Sequence, residues 1–146
     1  MQRREFLKAS CLACMGGFAF SALLESCGTT NHINAAIKDS DLIIPISDFQ
    51  YTKNNQHQFK KYLIVQNNSL QYPICVYRFD EKNYSALLMR CTHQGAELQV
   101  FGDKLQCPAH GSEFSSTGEV MSAPASVSLR KFPVIIEKNQ IKISLV

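Results

Sequence analysis

Cys91, His93, Cys107 and His110 stand in the chain as C-x-H-x13-C-x2-H. Two soft thiolates and two imidazoles, offered as two mixed pairs, suit a binuclear iron–sulfur site in which one iron takes both cysteines and the other both histidines. The same four donors also make a tetrahedral set for zinc, and spacing alone leaves both open. In each pair the Cys and His are too close in sequence for one long regular element to carry both, so each pair is expected on a loop. Gly95 and Gly111 follow the histidines. Glycine permits positive φ and lets backbone N–H groups approach a sulfide closely, while Pro108 stiffens the second loop. Between the loops, Phe101-Gly102-Asp103-Lys104 reads as a hairpin turn. A hairpin there would lay the two loops side by side.

On these residues, with Ser112 and Pro124 beyond them, the chain resembles the Rieske [2Fe–2S] proteins, closely over residues 91–125 and by pattern elsewhere. The resemblance implies one [2Fe–2S] cluster per chain and an all-β fold, a Rieske-type antiparallel β-sandwich or barrel carrying an inserted cluster-binding subdomain over about residues 91–126. It implies that Cys91 and Cys107 hold the buried ferric iron. His93 and His110 would hold the outer iron, the one reduced, and face solvent or a partner. It gives Ser112 a hydroxyl donated to a bridging sulfide, which raises the potential, and places Pro124 in a covering loop. High-potential relatives carry a further Cys in each loop, joined as a disulfide; here those places are Ala96 and Ala109. They also carry a Tyr two residues after the serine, where this chain has Phe114. The expected potential lies inside the family window of about −150 to +300 mV and away from its top.

The resemblance points to an extracytoplasmic one-electron carrier serving a redox partner protein, a cytochrome or an oxidoreductase subunit. The alternative is the Rieske subunit of a membrane or periplasmic oxidoreductase of the quinol–cytochrome or oxidase type. A zinc-stabilised binding module is the third reading. An oxygenase in its own right needs a further mononuclear iron centre, with only His32 and His57 left to supply its histidines.

The start of the chain reads as an address. Arg3-Arg4-Glu5-Phe6-Leu7-Lys8 resembles a twin-arginine export signal, and residues 9–24 form an apolar stretch shorter than the roughly 20 residues a spanning helix needs. Residues 1–26 are therefore expected to be a signal peptide. Leu24-Glu25-Ser26-Cys27-Gly28 resembles a lipobox, with Glu25 an uncommon occupant. Cleavage there would leave a lipidated Cys27; an uncleaved anchor and cleavage elsewhere are the alternatives. The expected location is the periplasmic or extracytoplasmic face of a bacterial cell envelope, with anchoring to the membrane surface. Cys11 and Cys14 form a C-x2-C that reads as small apolar filler of the signal.

The chain has 146 residues, with 45% hydrophobic and 18% charged, which fits one globular domain. A formal net charge of +3 is too weak for a nucleic-acid partner. Residues 27–41 read as a polar tether and residues 42–146 as the domain. Apolar runs at 42–46, 62–65, 74–79, 84–90, 134–136 and 141–145 read as strands, joined by turn-like segments at 67–69, 80–83 and 138–139. Cys75 reads as a buried strand thiol without a disulfide partner. Phe59, Phe79, Phe101, Phe114 and Phe132 are expected to pack, His32 and His57 to lie on the surface. Lys60-Lys61 and Arg130-Lys131 read as solvated strand-end charges, with a docking patch as the alternative.

Overall fold

The computed structural model describes residues 31–146. The signal, the lipobox and Cys11, Cys14 and Cys27 lie outside the described residues.

The backbone is built almost wholly of strands. β1 (His32–Asn34), β6 (Tyr62–Gln66), β7 (Ile74–Arg78), β8 (Tyr84–Leu88) and β13 (Lys131–Phe132) form a five-stranded sheet in the order β1-β6-β7-β8-β13. All its pairings are antiparallel except β1 beside β6. A second sheet orders β14 (Val134–Glu137), β15 (Gln140–Ser144), β3 (Asp41–Pro45) and β2 (Ala36–Lys38). The two share one apolar core: Leu42 and Ile44 from β3 and Ile141 and Ile143 from β15 meet Leu63, Val65, Ile74, Val76 and Ala86.

The sequence of β6 to β8 is apolar on consecutive residues rather than alternating, because both faces of this sheet are buried. Ile64, Cys75, Tyr77 and Leu87 point away from the sandwich core into a second one. There they pack with Met89, Cys91, Leu98, Leu105, Cys107 and Phe114. That second core is capped by a meander of β9 (Gln99–Phe101), β10 (Lys104–Gln106), β11 (Glu113–Ser115) and β12 (Val120–Ser122). Glu113 staples this small sheet: its carboxylate takes the Lys104 ammonium at 2.6 Å and the Ser122 hydroxyl at 3.4 Å. The meander occupies the stretch where the resemblance implies an inserted subdomain.

Several sequence expectations need correction. The tether expected over residues 27–41 does not extend that far. His32–Asn34 pairs in parallel with β6, Ala36–Lys38 pairs with β3, and Ala35 is buried between them. These polar residues are edge strands, whose outward side chains hide the pattern. A hairpin of β4 (Gln50–Lys53) and β5 (Gln56–Phe59), preceded by a 3-10 turn at Ile46–Phe49, was not foreseen. Its signal was Asn54-Asn55, both at positive φ, the pair that a tight hairpin turn demands. Phe114 and Phe132 are buried, but Phe59, Phe79 and Phe101 are exposed. Phe59 is covered instead by the Arg78 guanidinium, 4.0 Å from the ring centroid. His32 and His57 are exposed, as expected.

Gly118 sits at φ +92 in the turn between β11 and β12, and a Cβ there would stand 2.9 Å from Leu87 Cδ2. Gly118→Ala should lower stability by about 1–3 kcal/mol. Gly102→Ala, at φ +66 but with open space around the Cβ, should cost no more than about 1 kcal/mol. Urea midpoints of the two variants check this. Cys75 generates a second prediction. Burial pushes its thiol up to about 12, so the folded chain keeps the proton while an unfolded thiol loses it above about pH 8.5. The unfolded state then binds fewer protons, and the Cys75 contribution to stability falls as pH rises from about 8.5 to 12, by at most about 1.4 kcal/mol per pH unit. Alkaline denaturation curves of Cys75→Val should lack this slope.

Candidate functional site

The two Cys/His loops are built alike. In residues 91–95, the Gly95 N–H donates to the Cys91 carbonyl at 2.8 Å and the Cys91 N–H donates to Ala96 O at 2.8 Å. In residues 107–111, the Gly111 N–H donates to the Cys107 carbonyl at 3.0 Å and the Cys107 N–H donates to Ser112 O at 2.8 Å. Gly95 and Gly111 have φ of +77 and +78, which an L side chain rarely adopts. Both fingers are thus Cys-x3-Gly turns. The histidine occupies the second residue after Cys in one and the third in the other. This repeat was present in the sequence but is hidden when the eye follows the unequal Cys–His spacing.

β9 and β10 place the fingers side by side, and the expected turn at Gly102-Asp103 joins them. Cys91 and Cys107 are each 2% exposed, whereas His93 and His110 are exposed. The imidazole rings stand 5.1 Å apart, nearly perpendicular at 82°. Desolvation works to raise the Cys91 thiol, but it is outweighed. Hydrogen bonds from the His93 backbone, the Cys107 side chain, the Gln94 backbone and the Ser112 hydroxyl hold Cys91 below the usual thiol range. These groups favour the thiolate, the form that ligates metal.

Ser112 is fully buried, and its Oγ accepts the Ala125 N–H at 3.0 Å. That bond occupies a lone pair and leaves the hydroxyl proton free for a sulfur acceptor. It also ties the segment containing Pro124 to the second finger. Thr92 ties the same segment to the first finger, donating to Val127 O at 2.6 Å. The Tyr72 hydroxyl braces the first finger from outside, donating to Gly95 O at 2.8 Å, with the Arg90 guanidinium over its ring at 5.8 Å. Tyr72 has no signal in the motif, being 23 residues from the carbonyl it holds.

The five residues singled out in the sequence, Cys91, His93, Cys107, His110 and Ser112, therefore lie at the joined ends of two fingers. Among the described residues, no three His, Cys, Asp or Glu side chains converge on a position that one metal ion could fill. The donors form a buried sulfur pair and an exposed nitrogen pair, with a spare hydroxyl proton beside the sulfurs. That arrangement fits two bridged metal ions better than one.

Comparison with known proteins agrees. The Rieske [2Fe-2S] domain family matches residues 49–133. The cytochrome b6-f complex iron-sulfur subunit of Prochlorococcus marinus is 41% identical over 56 residues, 37% of this chain and 32% of that protein. The oxygenase component of dicamba O-demethylase from Stenotrophomonas maltophilia is 36% identical over 76 residues, 45% of this chain and 22% of that protein. The chain thus spans a third or less of the length of these two relatives. Among solved structures, the plasma membrane Rieske protein PetC3 from Synechocystis superposes with a TM-score of 0.50 at 29% identity, over 57% of this chain and 86% of that one.

Proposed function

The chain belongs to the Rieske [2Fe–2S] domain family and binds one [2Fe–2S] cluster, and on that premise we propose that it is an extracytoplasmic one-electron carrier, with Cys91 and Cys107 holding one iron and His93 and His110 the other. The observation that carries this reading is the sorting of donors: both sulfurs buried, both imidazoles exposed and adjacent.

When bound, the cluster supplies a one-electron couple. The residues around it do the rest. Cys91 and Cys107 keep their sulfurs out of water, and Cys91 is held toward its ligating form by the groups that surround it. His93 and His110 present their rings at the surface, where a redox partner protein can approach. Ser112, its oxygen anchored by the Ala125 N–H, directs its proton at sulfur and stabilises the more negative state. Phe114 is fully buried and brings no hydroxyl to the cysteines, which supports a potential below the top of the family range.

The extracytoplasmic location and the membrane tie through Cys27 rest on Arg3-Arg4 and on the segment ending in Cys27-Gly28. The likeness to a plasma membrane Rieske protein supports them. Among the described residues no helix is long and apolar enough to cross a membrane. A second reading, the Rieske subunit of a larger oxidoreductase, is favoured by the 41% identity to a cytochrome b6-f subunit. Copurification with cytochrome subunits would select it. The described residues offer no histidine pair for a mononuclear iron centre, because His32 and His57 lie exposed on separate strands, β1 and β5.

Purified protein should contain about two irons and two acid-labile sulfides per chain and, reduced with dithionite, give an EPR spectrum of mixed-ligand rather than all-cysteine type. Zinc without sulfide would refute the proposal. Cys91→Ser should lose the cluster. Ser112→Ala should keep its iron and lower the potential by on the order of 60 mV, the one-electron equivalent of about 1.4 kcal/mol; an unchanged potential would remove Ser112 from its assigned role.

A further inference from the structure

A cleft of about 940 Å³ opens where the β4–β5 hairpin meets the start of β6 and the Gly102-Asp103 turn. Its walls carry Lys53, Lys60 and Lys61, with Tyr51, Phe59 and Tyr62 between them. Asp103 is the one carboxylate on its lining, and no Asp or Glu occurs in the sequence between Asp48 and Asp80. Phe59 is 40% exposed, and Phe101, next to the turn, is 66% exposed. Lysines interleaved with half-buried aromatics match an anionic lipid interface, where ammonium groups meet headgroup phosphates and rings sit at the polar boundary.

The course of the chain selects that occupant. Asn31, the first described residue, lines the same cleft, and its carbonyl is fixed by the Ile64 N–H at 2.7 Å. Cys27 precedes it by four residues, a span of at most about 14 Å fully extended. A lipid-bearing Cys27 would keep the cleft within about two Debye lengths of the bilayer at physiological salt.

We propose that this basic, aromatic cleft is a docking face for anionic phospholipid headgroups that orients the domain on the membrane; the proposal rests on the anchoring through Cys27 given above. The turn that lines the cleft lies at the opposite end of β9 and β10 from the two fingers, and three-residue strands separate them by about 10 Å. Docked on this face, the domain points His93 and His110 away from the lipid. The redox partner is then met in the aqueous phase rather than within the bilayer.

The test uses natively exported, cluster-loaded protein added to vesicles of phosphatidylcholine or of phosphatidylcholine with phosphatidylglycerol, followed by flotation and acetylation of accessible lysines. Each lysine favours an anionic surface by roughly fivefold in binding, and docking covers the amines, so acetylation of Lys53 and Lys61 should slow several-fold on anionic vesicles. Lys82 and Lys138, exposed residues that do not line the cleft, should react at the same rate on both. Protection should disappear in high salt. Equal reactivity of Lys53 and Lys61 on the two vesicle types overturns the docking face. So does protection produced by inorganic phosphate at constant ionic strength without anionic lipid, which would assign the cleft to a soluble anion. Flotation with neutral vesicles reads the anchor separately: protein that fails to float there but floats and is protected with anionic vesicles loses the Cys27 anchor and keeps the docking face.

Discussion

The whole site depends on backbone hydrogen bonds that fold each Cys finger back on itself. A glycine N–H closes on the cysteine carbonyl, and the cysteine N–H closes on the carbonyl just past the glycine. These bonds consume the polar backbone groups that a buried turn must satisfy, and they require a residue at positive φ. With the backbone settled, each sulfur can be driven into an apolar core while the histidine beside it stays in water. A side chain at Gly95 or Gly111 would strain φ, and at Gly95 it would also crowd the groups around the finger, whereas the space beside Gly111 is open. At Gly95 that crowding is visible, since an added Cβ would stand 3.3 Å from Arg90 Nε.

The scaffold contributes a floor. The central sheet offers one face to the sandwich and the other to the fingers, so that Leu87, Cys75 and Tyr77 support the cysteines from below while their strand neighbours build the main core. Above, the Pro124 segment is held to one finger by Thr92 and to the other by Ser112. Two short side-chain bonds therefore make a single unit of three loops that are far apart in sequence. The Ser112 hydroxyl serves both purposes at once, bracing with its oxygen and presenting its proton.

Much of this could be read in the chain. The grouping of the two Cys/His loops, the turn at Gly102-Asp103, the strands β3, β6, β7, β8, β14 and β15 and the buried Cys75 follow from local patterns, because apolar runs and turn residues carry their own signal, whereas the short strands β11 and β12 carry none. What escaped was set by tertiary contact. His32–Asn34 and Ala36–Lys38 look like a solvated linker, yet edge pairing with β6 and β3 makes strands of them. Phe59 was expected inside, but it lies exposed with the Arg78 guanidinium over one side of its ring. Tyr72 could not have been found, since nothing in a Cys/His motif reveals which distant hydroxyl will hold its carbonyl.

Cys75 shows how differently one apolar layer can treat its thiols. It is a third thiol packed in the same apolar layer as Cys91 and Cys107. Its proton stays on until about pH 12, and a protonated thiol is a poor ligand. Cys91 is biased the opposite way. Two thiols of one apolar layer are thus biased oppositely, Cys75 by burial and Cys91 by the hydrogen bonds around it.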